Sequence, residues 1–349
     1  MADFQVIFMD AGQGDCTLIV YPDGSLTLVD CGSTKSGSAA FEEIKKVIDR
    51  HFDSKQDFSL VLTHPDEDHY NLLHKLKVEE YMDAGGPVHI YYGGDIDLYQ
   101  NQKDDNYTYR LLEHVRRNHA AMPPENNTST EPDILLSRAG VNVTILAANC
   151  TGKPASHNGQ DKNSNSIVLL VEYEGAKIFL MGDAFVRTEQ FIHDSFNSAG
   201  QLNRLRKQKG EQVVLKMGHH GSDTSTGATW VNLIQPEILV VSSGTKSFNG
   251  TGMPKESHLE STINATKLVA DTGIDQSYVV FDDNKKHPLD PNFVMRPKTT
   301  RGIWTTCYDA VWDPHNVAYF ESGQSWYYGV EKGKKKTMAH WYGYTGYET

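Results

Sequence analysis

Thr63-His64-Pro65-Asp66-Glu67-Asp68-His69 follows the short apolar run Phe58-Ser59-Leu60-Val61-Leu62. The run reads as a buried strand, and Leu72, Leu73 and Leu76 beyond it begin a helical face, so the seven residues form a strand-to-helix loop. Such a loop can aim several side chains into one space. His64, Asp66, Asp68 and His69 are imidazoles and carboxylates crowded into it, which is metal-ligand chemistry. Imidazole suits zinc, carboxylate suits harder ions such as manganese or magnesium, and a mixed set suits zinc, manganese or iron. Taken alone, the loop also reads as a solvated acidic turn that carries two histidines.

Two further stretches bear on that choice. Lys177-Ile178-Phe179-Leu180-Met181-Gly182-Asp183 is an apolar strand ending in Gly-Asp, and Val213-Val214-Leu215-Lys216-Met217-Gly218-His219-His220-Gly221-Ser222 is another ending in a His pair. In a layered α/β fold, strand ends on the same edge of the sheets converge.

With Asp10-Ala11-Gly12-Gln13-Gly14-Asp15-Cys16 near the start and Ser164-Asn165-Ser166-Ile167-Val168-Leu169 in the middle, these motifs resemble the metallo-β-lactamase fold superfamily. Within it they are similar to the hydrolase domain of the ComEC competence proteins. The resemblance runs from about Phe4 to about Phe281. The usual His-x-His-x-Asp-His pattern has Asp66 here where the second His normally stands.

The resemblance implies an α/β fold, a four-layer αββα metallo-β-lactamase sandwich, over residues 1–281; beyond its end, residues 282–349 read from their own composition as an aromatic-rich C-terminal extension packed on that core. It implies two divalent ions, zinc or manganese, held by His64, Asp66, Asp68, His69, Asp183 and His219, with Asp68 and Asp183 as the catalytic carboxylates. Asp183 is shared between the two positions, and a water between the ions ionises near neutral pH. Gln13, Asp15, Asn165, His220, Ser222 and His258 are expected beside the ligands or against substrate. Which of His219 and His220 is the ligand stays open. A strand-entry turn accounts equally for Asn165, and an ordinary helix start for His258.

Composition bounds these readings. The chain has 349 residues, 38% of them hydrophobic, and no stretch approaches the roughly 18 to 20 apolar residues of a membrane span. Met1-Ala2-Asp3-Phe4-Gln5 has neither a basic nor an apolar signal-like region. Cys16, Cys31, Cys150 and Cys307 are scattered, as buried free thiols in a reducing compartment would be, so a soluble cytoplasmic chain is expected. The formal charge of -12 weakens a broad nucleic-acid surface. It does not exclude a nuclease, because metal ions neutralise phosphate locally.

Phe41, Ile44, Val47 and Ile48 recur at helical spacing, which predicts an amphipathic helix from about Ser38 to Phe52. Residues 95–133 are polar and read as an insertion or lid, with one helix around Tyr107 to His119 whose Arg110, Arg116 and Arg117 face either an anion or solvent. Arg204 to Lys209 is a basic cluster, read as a solvated linker or a polyanion grip. Beyond Asp282, Trp304, Trp312, Trp326 and Trp341 alternate with tyrosines and lysines, a pattern suited to a β-rich extension or to stacking bases.

The function implied is a metal-dependent hydrolase, a phosphodiesterase or nuclease acting through a bridging hydroxide on nucleic acid or a nucleotide-containing substrate. The alternative is a small-molecule ester hydrolase, similar to a phosphorylcholine esterase or a lactonase.

Overall fold

Strands that are apolar on both faces must be covered on both faces. In the computed structural model of the protein this requirement produces two sheets packed together with helices outside each. The structure describes residues 4–9, 11, 13–34, 39–84, 89–118, 120–122, 134–150, 159–236, 238–242, 253, 258, 261–262, 265, 302–305, 310–312, 318–320, 325–331 and 334–342.

The first sheet contains β1 (Phe4–Phe8), β2 (Cys16–Val20), β3 (Leu26–Cys31), β4 (Phe58–Leu62), β5 (His89–Tyr92) and β6 (Ala120–Met122) in that spatial order. The second holds β7 (Ile134–Arg138), β8 (Val141–Ala147), β9 (Val168–Tyr173), β10 (Ala176–Leu180), β11 (Gln212–Lys216) and β12 (Ile238–Val241), again as neighbours in order. Later residues extend both. β13 (Gly302–Thr305) runs parallel to β12, while β16 (Ser325–Glu331) lies antiparallel to β1 and carries β17 (Lys334–Tyr342) outside it. Between them, β14 (Ala310–Trp312) and β15 (Ala318–Phe320) form a separate two-stranded ribbon. Residues beyond 281 therefore supply strands to both sheets. The strand expected over Ser277–Phe281 lies outside the described residues.

Alternation along each strand assigns its side chains to different layers. On β1, Phe4, Val6 and Phe8 enter a core between the sheets, where they meet Val171, Ile178, Val214 and Val240 of the second sheet. Ile7, together with Leu60 and Leu62 of β4, faces the other way. That outer face is covered by Ile44, Val47 and Ile48 of α1 (Ala39–His51) and by Leu111, Leu112 and Val115 of α5 (Tyr107–Asn118). On the far side Phe179, Val213, Leu215 and Leu239 pack against Ile192 and Phe196 of α7 (Val186–Ser198), Leu205 of α8 (Leu202–Leu205) and Trp230 of α9 (Ala228–Ile234). The four layers are thus αββα. Among the described residues no helix is long and apolar enough to cross a membrane.

Strand direction positions the site. β3, β4 and β5 are parallel to one another, and so are β10, β11 and β12. Asp30, His64, Asp183, His219, His220 and Ser242 all stand at or just beyond the carboxyl ends of these strands, where α/β sheets present ligand sites. The helix expected from the metal loop to about Leu76 is two short helices, α2 (Glu67–Tyr70) and α3 (Leu73–Leu76); Lys77, with a left-handed backbone, ends α3, and α4 (Val78–Ala84) follows. The polar loop before β9 ends in a short helix, α6 (Gly159–Ser164).

Candidate metal centre

The first motif leaves β4 at Thr63 and is tied down by its own backbone. Ile167 N–H donates to Thr63 O at 2.9 Å, and Asp15 N–H donates to Asp68 O at 3.1 Å. Gly32 passes so close under the loop that a Cβ there would lie 2.0 Å from Asp68 O, so only glycine fits. Gly182, at φ +52, brings the end of β10 against Thr63, which delivers Asp183 to the histidines.

Asp183 is the centre of the cluster. Its Oδ1 lies 3.4 Å from His69 Nε2. Its Oδ2 lies 3.5 Å from His220 Nε2 and 3.7 Å from His64 Nε2. Asp68 Oδ2 approaches His220 Nε2 at 3.4 Å, and Asp66 Oδ2 approaches His64 Nε2 at 3.6 Å. Two overlapping metal-capable groups result, His64/His69/Asp183 and Asp68/His69/His220. Asp15 joins Asp183 and His220 in a third, and joins Asp30 and His69 in a fourth.

Each imidazole is held by its other nitrogen. His69 Nδ1 lies 2.8 Å from Asp30 Oδ2, and His220 Nδ1 lies 2.9 Å from the Ser242 carbonyl, which fixes the proton on Nδ1 and leaves Nε2 as the ligating atom. His64 Nδ1 lies 3.1 Å from Thr63 Oγ1, and that hydroxyl donates to Asp30 Oδ2 at 2.7 Å. The Nε2 atoms of His64, His69 and His220 and Oδ1 of Asp183 are buried with no hydrogen-bond partner in the protein. Buried polar atoms are normally paired, so four converging orphans fit a cation.

The family model of the metallo-β-lactamase superfamily matches residues 9–245. The chain belongs to that superfamily. Among curated relatives it is 29% identical over 243 residues to Recombination protein 2 of Haemophilus influenzae, covering 69% of this chain and 24% of that protein. It is 26% identical over 256 residues to ComE operon protein 3 of Bacillus subtilis, covering 69% and 28% respectively. The chain thus spans only about a quarter of the length of each of these relatives. A solved structure, the metallo-β-lactamase fold protein YhfI of Bacillus subtilis, aligns with 75% of this chain and 93% of its own at 13% identity and a TM-score of 0.40. Superfamily membership supports a metal-dependent hydrolase.

Against the metallo-β-lactamase pattern, the order of the His pair matters. The sequence expectation put His219 and Asp66 among the ligands and His220 beside them, whereas the geometry brings His220 into the metal-capable groups of the described residues and leaves His219 and Asp66 out of them, Asp66 standing between His64 and Lys162. Both histidines of the pair have left-handed backbones, and the turn buries His220 while leaving His219's side chain 24% exposed. His219 Nε2 stays 4.0 Å from Asp183 Oδ2, and its Nδ1 meets Thr224 Oγ1 at 2.7 Å. Ser222 is buried beneath Thr224, whose hydroxyl donates to Ser222 Oγ at 3.0 Å, so it supports His219 at one remove.

The remaining expected residues separate. Asp15 is buried beside the cluster and is paired with Lys216. Gln13 is buried, and its N–H donates to Thr34 Oγ1 at 2.9 Å. Asn165 is buried, and its backbone closes the turn from α6 into β9. His258 enters none of the metal-capable groups among the described residues; its carbonyl accepts from Thr262 Oγ1 at 2.9 Å.

Three residues of the centre lie outside the sequence expectation. Asp30 orients His69 and also accepts from the Thr63 N–H at 2.7 Å. Lys216 occupies an inward strand position, alternating with the outward Leu215, and reaches Asp15 from 201 residues away. Lys162 Nζ lies 3.2 Å from Asp66 Oδ1. An Asp ending the apolar strand Leu26–Val29 was a visible signal for the first, and a lone Lys in the run Val213–Met217 for the second.

The electrostatics follow from this packing. Burial works to raise the Asp183 carboxyl, but His220, His69 and His219 overrule it and hold it well below the usual carboxylate range. Burial likewise opposes charge on His220, yet Asp183 and Asp68 push its pKa up to about 10. His69 is raised well above the ordinary imidazole range by Asp183 and Asp30, against the same opposition. At Asp15 burial is overcome by the Lys216 ammonium, which holds the carboxyl low. The cluster is a cation-seeking cage, and protons on its histidines compete with a metal ion.

Proposed function

We propose that the protein is a two-metal phosphodiesterase acting on nucleic acid or a nucleotide-containing substrate. The observation that carries the reading is Asp183, whose two oxygens face different buried imidazoles, Oδ1 toward His69 and Oδ2 toward His64 and His220. His64 and Asp66 with Asp183 would hold one ion, and Asp68, His69 and His220 with Asp183 the other. When bound, such ions supply Lewis acidity and make a water nucleophilic near neutral pH.

The chain's own residues do the positioning. Asp30 keeps the proton of His69 on Nδ1, and the Ser242 carbonyl does the same for His220, so both Nε2 lone pairs stay directed at one space. Burial of His64, His69 and Asp183 excludes water from their far sides and strengthens every charge interaction in the centre. Asp68 and Asp183 would be the catalytic carboxylates, Asp183 as the ligand shared between the two positions and Asp68 as a ligand beside His220. His219, 24% exposed and braced by Thr224, would meet the substrate or leaving group rather than an ion.

The carboxylate Asp66 in place of the usual second imidazole makes the donor set harder and more anionic, which favours manganese alongside zinc. The relative named Recombination protein 2 supports a nucleic-acid substrate over a small ester. The chain's charge of -12 favours the second reading, a small-molecule ester hydrolase. Metal-stripped protein refilled with manganese or zinc should cleave single-stranded DNA, and Asp68→Ala should abolish that cleavage. Hydrolysis confined to a phosphorylcholine ester or a lactone would transfer the assignment to the second reading.

A further inference from the structure

We infer that Lys162 grips an anionic oxygen of the substrate's scissile group, and so sets the preference of the centre for a phosphodiester over a neutral ester. This rests on the hydrolase reading above and names the group that selects its substrate class.

Lys162 stands in the last turn of α6, with its Nζ 3.2 Å from Asp66 Oδ1 and 3.5 Å from the Pro65 carbonyl. The other oxygen of Asp66 faces His64 Nε2 at 3.6 Å, so the ammonium is one carboxylate away from a buried imidazole of the cluster. Its position is fixed by backbone: Asn165 N–H donates to Lys162 O at 3.0 Å, and two residues on Ile167 N–H donates to Thr63 O at 2.9 Å. The helix end and the metal loop are therefore one unit.

An ammonium has three donors. Among the described residues Asp66 and Pro65 take two, which leaves a third for a ligand oxygen. The side chains of Lys162 and Asp66 are 20% and 29% exposed, so the pair forms the lip of the centre rather than its floor. As a charge the ammonium is distinctive. Asp15, Asp30, Asp66, Asp68 and Asp183 surround the cluster, and of the two lysines paired with them among the described residues, Lys216 is buried against Asp15. Of these two, Lys162 is the one that a solvent-borne anion can reach. In a chain of net charge -12, a phosphodiester needs such a local counter-charge at the lip, whereas a neutral lactone does not.

The test compares wild type, Lys162→Met and Lys162→Arg as metal-loaded full chains. Inorganic phosphate binding is read by calorimetry, metal content by elemental analysis, and kcat/KM on bis-p-nitrophenyl phosphate and on p-nitrophenyl acetate. Loss of a hydrogen bond to a charged group predicts phosphate affinity about 10- to 100-fold weaker in Lys162→Met, with the ratio of diester to acetate kcat/KM falling by a similar factor, mainly through KM. Lys162→Arg should recover most of both, and both variants should retain their metal. The inference is overturned if wild type binds no phosphate, if Lys162→Met binds it as wild type does, if the variant loses metal, or if diester and acetate turnover fall together. The last two would make Lys162 a mere support for Asp66. Phosphate binding that depends on Lys162 without diester cleavage would keep the anion grip, but would overturn both its part in substrate preference and the phosphodiesterase reading. Equal diester cleavage by wild type and Lys162→Met would overturn the inference and uphold the phosphodiesterase reading.

Discussion

Asp30→Asn isolates the orientation of His69 from the fold around it. Asp30 sits at φ 57, a left-handed conformation that Asn also tolerates, and the two side chains are nearly isosteric. One oxygen of Asp30 accepts from Thr63 N–H at 2.7 Å, while the other takes Thr63 Oγ1 at 2.7 Å and faces His69 Nδ1 at 2.8 Å. In the variant the amide oxygen keeps the backbone donor, so the NH2 group turns toward His69 and can only donate. His69 must then carry its proton on Nε2, the nitrogen 3.4 Å from Asp183 Oδ1, and cannot ligate there. Losing such a partner typically weakens metal binding about 10- to 100-fold, or about 1.4 to 2.8 kcal/mol. Zinc affinity measured against a chromophoric chelator should show that loss, while thermal unfolding confirms a folded chain. A folded variant that binds zinc within about threefold of wild type would refute the proposed role of Asp30.

Three further outcomes are expected. His220→Ala should strip metal from the chain, whereas His219→Ala should retain it and lose turnover instead; elemental analysis of the two variants decides between the neighbours, and the reverse pattern would restore His219 as the ligand. His220 has a folded-state pKa raised from 6.5 to about 10, so in metal-free protein its contribution to stability is whole below pH 6.5 and is lost as the pH rises through about 10. Metal uptake at pH 7 should accordingly release about one proton or more per chain, read with an indicator dye, and uptake without release would contradict that charge state. Lys216→Met strands the Asp15 carboxylate in the interior and should cost about 3 to 5 kcal/mol in urea unfolding. Pairing that change with Asp15→Asn should recover most of the loss.

The contiguous part of the centre is legible in the sequence because strand, loop and ligands lie within a dozen residues. Phe58–Leu62 announces a strand buried on both faces, and His64 to His69 follow at once. The amphipathic spacing of Phe41, Ile44, Val47 and Ile48 locates α1. Non-local pairings are not legible in the same way. Lys216 meets Asp15 across 201 positions, and nothing in either neighbourhood specifies the partner. The choice between His219 and His220 turns on two left-handed residues whose side chains are identical, so only the turn's geometry separates them. The tail poses a similar problem. Its aromatic alternation suggests strands, but edge strands at β1 and β12 are selected by the free hydrogen-bonding edges of the sheets, which no local pattern reveals.

Titration of the metal-stripped chain with manganese or zinc, following hydrolysis of bis-p-nitrophenyl phosphate at each step, addresses the two-ion phosphodiesterase most directly. Turnover should rise to a plateau at two ions per chain and be lost when Asp183→Asn removes the shared carboxylate. A plateau at one ion, or no diester cleavage from a chain carrying two, would contradict it.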